Sequence, residues 1–174
     1  MRKILVVVDM QNDFVDGALG SEQAVSIVPA AAERIKEFEG EIFVTFDTHY
    51  KDYLETSEGK KLPVEHCIKG TKGWELNKEI ESALKEKAFT AIEKNIFGSV
   101  ELPKQISDTA EDEELSIELI GLCTDICVVS NALLLKANFP EAQISVNSKC
   151  CAGVTADKHE AALETMRSCQ IDII

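Results

Sequence analysis

Apolar residues along this chain recur with two different periods, and the periods alternate. Ile4 to Val8 is a continuous, mostly β-branched run that closes on Asp9, which predicts a strand over residues 3–9 buried on both faces. Residues 26–38 then carry Ile27, Val28, Ala31, Ile35 and Phe38 at helical spacing, with Pro29 tolerated in the first turn. A second strand is predicted over 41–46. Leu76, Ile80 and Leu84 predict a helix over 74–84, with Trp74 as its first core residue. Further strands are expected at 89–92, 115–122, 143–146 and 171–174. Helices are expected to start at 101–107 and to span 155–168. The stretch 124–136 is apolar on nearly all sides, so it reads as a largely buried helix.

Strands and helices in alternation build βαβ units. The expected architecture is α/β, a three-layer α/β/α arrangement around a mostly parallel sheet of about six strands. No repeat and no Gly/Ser linker divides the chain, so residues 1–174 are expected to form one domain. The acidic run 111–114 reads as a solvated loop leading into a strand. In such sheets ligands bind beyond the carboxyl ends of the strands. Asp9 ends the first strand, Asp47 and His49 follow the second, and Lys94 follows the third. Cys123, Thr124 and Cys127 follow the fourth. Reactive residues thus recur at four consecutive strand ends.

The charge balance narrows the partners. Thirty-one acidic residues against 18 basic ones give a net charge of −13. That field repels phosphate backbones and anionic membranes, so neither nucleic acid nor a membrane surface is an expected partner. Ile4 to Val8 is too short to span a bilayer and lacks the features of a secretory signal, which makes a cytoplasmic location the default expectation. The six cysteines (67, 123, 127, 150, 151 and 169) are then expected to be thiols, and their spacing is not that of a structural zinc site. Cys150 and Cys151 read as strand-end packing, and His159 as structural.

Cys127 lies about one turn into the helix predicted from Thr124. Free N–H groups at a helix start lower a thiol pKa, so this position favours a nucleophile over a buried, inert thiol. Asp9, partly desolvated at a strand end, has the raised pKa of a proton acceptor. Lys94 offsets the charge of both.

The segment Asp9-Met10-Gln11-Asn12-Asp13-Phe14, the Lys94 strand end and Gly121-Leu122-Cys123-Thr124-Asp125-Ile126-Cys127-Val128 resemble the isochorismatase-like cysteine hydrolases. That family includes nicotinamidases, N-carbamoylsarcosine amidases and ureidoacrylate amidohydrolases. The resemblance runs the length of the chain and implies a Cys–Asp–Lys triad of Cys127, Asp9 and Lys94 on the isochorismatase-like, Rossmann-like fold. It implies that Leu122–Cys123 is a non-proline cis peptide. The backbone N–H groups of Cys123 and Cys127 would then form the oxyanion hole. Phe14 and Leu122 would contact the substrate. Asp9 would take the thiol proton, the sulfur would attack an amide carbonyl, and water would hydrolyse the resulting thioester.

Asp47-x-His49 puts two ligand side chains on one side of an extended segment. Nicotinamidases use such a pair, with a later His and often one more His or Glu, to hold a metal that binds the pyridine nitrogen. By that resemblance His66 is the later histidine, and Glu58 or Glu55 the fourth ligand. The ligand types suit zinc or another divalent transition metal such as iron. Where nicotinamidases commonly carry an aromatic residue before the later histidine, this chain has Lys61-Leu62-Pro63-Val64-Glu65.

The leading expectation is therefore a cysteine amidohydrolase acting on a small carboxamide, nicotinamide being the best single substrate. The alternatives are another amide or carbamoyl hydrolase of the family, a non-catalytic metal or small-molecule binding protein of the same fold, and a thiol redox protein using Cys123 and Cys127. The i, i+4 spacing of those two cysteines suits reversible bridging poorly. A homo-oligomer is expected from the resemblance alone.

Overall fold

A computed structural model describes residues 1–108 and 114–174. Of the acidic run 111–114, only Glu114 lies within the described residues. Six parallel strands form one sheet in the order β3-β2-β1-β4-β5-β6. They are β1 (Arg2–Val8), β2 (Glu41–Asp47), β3 (Phe89–Lys94), β4 (Leu115–Leu122), β5 (Gln143–Ala152) and β6 (Asp172–Ile173). The first half of the chain builds outward from β1 through β2 to β3. The second half returns to the other side of β1. The order therefore reverses between β1 and β4, where a crevice opens beyond the strand ends.

The alternation within β1 shows why the sheet is covered twice. Leu5 and Val7 pack with Ile42, Val44, Ile120 and Leu122 under α2 (Glu22–Glu37) and α4 (Lys78–Leu84). Ile4, Val6 and Val8 pack with Phe43, Ile92, Ile117 and Leu119 under α5 (Glu101–Asp108), α6 (Val129–Asn138) and α7 (Ala156–Ser168). None of the five β1 residues from Ile4 to Val8 keeps any exposed surface, which is why the run shows no polar alternation. The remaining short helices, α1 (Asn12–Val15) and α3 (Ser57–Lys61), lie in the loops after β1 and β2.

Apart from the stretch 124–136, which divides into a turn over Thr124–Val128 and α6, two helix boundaries differ from the sequence reading. The Ser21 side chain caps α2 by accepting from the Ala24 N–H, so α2 starts at Glu22 and Pro29 sits inside it instead of in its first turn. Asn77 caps α4 in the same way, so Trp74 precedes that helix. Trp74 packs half-buried on Phe46 at a 5.3 Å ring separation and donates its indole N–H to Thr48 Oγ1. In both cases a polar cap outweighs the apolar spacing.

At the end of β4 the backbone passes close to β1. Gly121 stands opposite Val8 with φ of +121°. A Cβ there would overlap the Val8 carbonyl oxygen, which belongs to a buried strand that cannot give way. Glycine is required both by conformation and by this approach. Gly121→Ala is expected to destabilise the fold by about 3 kcal/mol. That would lower the melting temperature by roughly 6–12 °C, measurable by differential scanning calorimetry. An unchanged melting temperature would refute the close-approach account.

Candidate active site

The end of β1 turns sharply. Asp9 adopts φ of +47°, a conformation that aspartate tolerates better than most residues, and its side chain is wholly buried. Its Oδ1 accepts from the Thr45 hydroxyl at 2.7 Å. Its Oδ2 lies 2.6 Å from Lys94 Nζ without the alignment of a hydrogen bond. Lys94 is the last residue of β3 and is 6% exposed. Its ammonium also reaches Asp47 Oδ1 at 3.2 Å and Cys127 Sγ at 3.5 Å. Side chains 9, 47, 94 and 127, far apart in sequence, therefore meet around one buried cation.

Cys127 is 5% exposed and sits in a π-helical turn, Thr124–Val128, that leads into α6. Single wide turns of this kind occur often at functional sites. The Leu122–Cys123 peptide before it is cis. The Thr124 hydroxyl meets His159 Nδ1 at 2.8 Å, and Asp125 Oδ1 accepts from the Val154 N–H, so both anchor the turn to the segment around α7.

Burial raises the Asp9 carboxyl, and the Lys94 charge offsets that only in part. Burial alone would lower the Lys94 ammonium, but Asp9, Cys127 and Asp47 together push it above its ordinary value. Burial and the Asp9 carboxylate push the Cys127 thiol well up. The helix-start argument from sequence predicted the opposite direction for Cys127. It fails because the thiol is enclosed, and the nearest charge besides Lys94 is an anion. The raised pKa values keep Cys127 a thiol and Lys94 an ammonium. A sulfur nucleophile must then be generated by handing its proton on.

A second cluster adjoins the first through Asp47. Asp47 Oδ2 lies 2.9 Å from His49 Nε2 and 3.5 Å from His66 Nε2. Glu58 Oε1 stands 3.8 and 3.7 Å from the same two nitrogens, whereas Glu55 is exposed, so geometry selects Glu58 of the two glutamates. His66 Nδ1 is 2.8 Å from the Val64 carbonyl, which can only accept, so Nδ1 carries the proton. This leaves Nε2 as the ligand nitrogen, the usual arrangement behind a metal-binding histidine. Ligand atoms of Asp47, His49 and His66 all fall within 4.8 Å of one another. Burial would raise the Asp47 carboxyl, but its contacts with the two histidines and the Lys94 charge outweigh it and hold it well below the usual range.

Between the two clusters lies a cavity of about 50 Å³, bounded by Phe14, Leu62, Phe97 and Ile126 with Cys127, Asp47 and His66 at its polar end. Cys123 and Glu58 also face it. A larger groove of about 610 Å³ beside α4 is lined by Lys78, Glu81, Ser82, Lys85 and Lys87 with Leu76, Leu84 and Phe89, and has neither a cysteine nor a histidine on its wall. The Phe14 side chain lines the cavity. The Leu122 side chain does not: it points into the core with Val7 and Ile120, and only its peptide bond adjoins the site.

Several supporting residues went unassigned in the sequence. Gln11 is fully buried and grips the Asp47 main chain from both sides, accepting from its N–H at 2.8 Å and donating to its carbonyl at 2.9 Å. Asp13 Oδ2 accepts from the Cys67 N–H at 2.7 Å, fixing the residue next to His66. The Tyr53 ring lies edge-on to both histidines. Gln11 and Asp13 lie within the motif that carried the resemblance, but nothing in their spacing reveals which backbone groups they hold.

The isochorismatase domain model matches residues 3–174. The chain belongs to the isochorismatase family. Among characterised relatives of this family member, the nicotinamidase/pyrazinamidase of Mycobacterium tuberculosis is 27% identical over 190 residues, covering 99% of this chain and 98% of that protein. The crystal structure of a nicotinamidase/pyrazinamidase from Bacillus subtilis is 26% identical. It superposes with a TM-score of 0.86 over 99% of both chains. A Pyrococcus horikoshii pyrazinamidase solved in complex with zinc is 25% identical, with a TM-score of 0.81 over 100% of this chain and 99% of that one.

Replacing Gln11 by Leu keeps the volume but leaves the Asp47 N–H and carbonyl without partners in the interior. The variant is expected to lose about 2 kcal/mol of stability, read as a lower urea midpoint with unchanged slope. A midpoint equal to that of the parent would show that Gln11 does not hold Asp47.

Proposed function

We propose that this protein is a cysteine amidohydrolase that cleaves a small carboxamide to the acid and ammonia through a Cys127 thioester, with nicotinamide as its substrate. Family membership and the nicotinamidase relatives make it an amidase-type hydrolase. The observation that carries the finer reading is the convergence of Asp9, Lys94 and Cys127 at the polar end of an otherwise apolar cavity.

The geometry supports the following sequence. Asp9 takes the Cys127 proton on Oδ2, the oxygen that holds no aligned hydrogen bond. Burial raises its pKa, which makes it a better proton acceptor than a solvated aspartate. The sulfur attacks the amide carbonyl carbon, and the carbonyl oxygen becomes an oxyanion. The backbone N–H groups of Cys123 and Cys127, both at the cavity, receive it; losing one such donor typically costs ~10²–10³ in rate. When the tetrahedral adduct collapses, the nitrogen leaves with the proton held by Asp9, as ammonia. Asp9 then takes a proton from water, hydroxide equivalent adds to the thioester carbon, and the returning proton restores the thiol. Lys94 stays charged throughout and keeps the Asp9 and Asp47 carboxylates tolerable side by side.

Asp47, His49, His66 and Glu58 fit a divalent transition metal: two imidazole nitrogens and two carboxylate oxygens, with one histidine tautomer fixed from behind. Bound there, the ion would coordinate a ring heteroatom of the substrate and so orient its carboxamide towards Cys127. The aromatic neighbours of the cavity, Phe14 and Phe97, supply flat apolar walls for a ring. From the stretch before the later histidine, Leu62 reaches the same cavity.

Purified protein incubated with nicotinamide should release ammonia, and Cys127→Ala should abolish that release; equal release by both proteins would end the cysteine reading. Elemental analysis should find about one zinc, iron or manganese per chain in the parent. His66→Ala should retain little of it, and metal retained in full by that variant would refute the ligand assignment. Asp9 works only as a carboxylate, so kcat/KM should fall as pH drops through its raised pKa. Thr45→Val removes a hydrogen bond that favours the anion, so the acid limb of the pH profile should move to higher pH. An unmoved limb would mean that Asp9 is not the base.

A further inference from the structure

Asn131 lies in α6, on a stretch whose apolar character predicts burial on nearly all sides, although Leu133 is exposed. Asn131 itself is buried completely, with no exposed surface. A primary amide in such a place is costly unless all its groups find partners. Here they do, and the partners belong to two different segments. Nδ2 donates to the carbonyl of Cys127, one turn earlier, at 2.8 Å, and to the carbonyl of Phe97 at 3.2 Å. Oδ1 accepts from the Ser99 N–H at 2.9 Å. The orientation of the amide is fixed by these partners, because carbonyls can only accept and an N–H can only donate. The Ser99 hydroxyl in turn accepts from the Leu102 N–H at the start of α5.

The loop held in this way follows Lys94 directly and carries Phe97. Phe97 is 40% exposed, yet it lines the cavity together with Phe14 and Leu62. Its own side chain therefore lacks the burial that would fix it. The restraint on its backbone comes from Asn131, joined through one amide to the carbonyl of Cys127. We propose that Asn131 is a positioning residue that locks the Phe97 wall onto the turn carrying Cys127 and so sets the size of group the cavity admits. This deepens the reading of the site as one that attacks small carboxamides, and it rests on that reading for its substrate class alone.

The test reads Cys127 directly. The protein is treated with iodoacetamide and with its bulkier N-phenyl analogue, and labelling of the peptide containing Cys127 is followed by mass spectrometry. Cleavage before Asp125, or fragment-ion sequencing, assigns the label to Cys127 and not to nearby Cys123 or exposed Cys169. The ratio of the two rates measures size discrimination, whatever the natural substrate. Phe97→Ala should lower that discrimination at least tenfold. Asn131→Asp, which keeps the acceptor and loses both donors, should lower it to a similar degree. The double variant should lose no more than either single one, since both act on the same wall. Asn131→Ser keeps an acceptor and gives the same comparison if the aspartate variant does not fold. Glu118→Gln weakens a contact between β4 and Arg34 of α2 and supplies a variant of lowered stability that should keep full discrimination. Full discrimination in the folded Asn131 variants, losses that multiply in the double variant, or an equal loss in Glu118→Gln would each overturn the proposal. A failure to release ammonia from nicotinamide would refute the substrate and leave this ratio still decisive for Asn131.

Discussion

One buried ammonium group organises the candidate site. Lys94 Nζ touches the carboxylates of Asp9 and Asp47 and the sulfur of Cys127, and almost nothing of it reaches solvent. An isolated ammonium in that position would lose its proton, and two adjacent carboxylates without it could not both stay ionised. Each charge is tolerable only because the others are present. Removing the ammonium would leave two adjacent buried carboxylates uncompensated, the arrangement that costs proteins most. The same shared cation joins the cluster around the thiol to the cluster of histidines, with Asp47 belonging to both.

The sheet makes this meeting possible. Parallel strands end on the same side, and the register pairs Asp47 directly with Lys94 across β2 and β3. Val8, the residue before Asp9, stands opposite both Thr45 and Gly121. Thr45 thus reaches Asp9, and the close approach at Gly121 brings the end of β4 and its turn down beside them. Framework and chemistry are the same structure here: the crevice lies where the strand order reverses.

Much of this was legible in the sequence because the signals were two-sided. An unbroken apolar run such as Ile4–Val8 can only be a strand covered on both faces, and the reactive residues at its end and at the ends of its neighbours share one rim by topology. The motif around Asp9 and Cys127 then named the family, which the domain match over residues 3–174 shows. What sequence left open was decided by packing. Spacing gave Glu55 and Glu58 equal standing, and only the α3 turn puts Glu58 beside the histidines. Helix spacing overran Asn77 and placed Trp74 inside α4, because a cap is a property of one side chain and its hydrogen bond. The direction of the Cys127 shift was misjudged because a helix terminus acts over one turn whereas enclosure acts from all sides. Gln11 and Asn131 carry no periodic signal at all: their partners are backbone groups in other segments.

The most direct test of the account is to find the covalent intermediate. Protein turning over nicotinamide is quenched in acid and digested, and its peptides are weighed. The account predicts that the peptide containing Cys127 gains the mass of the acyl group, that the adduct is removed by hydroxylamine, and that it is absent from Asp9→Asn. An acyl group on Cys123 or on any other residue, or turnover that persists when Cys127 is blocked, would contradict it.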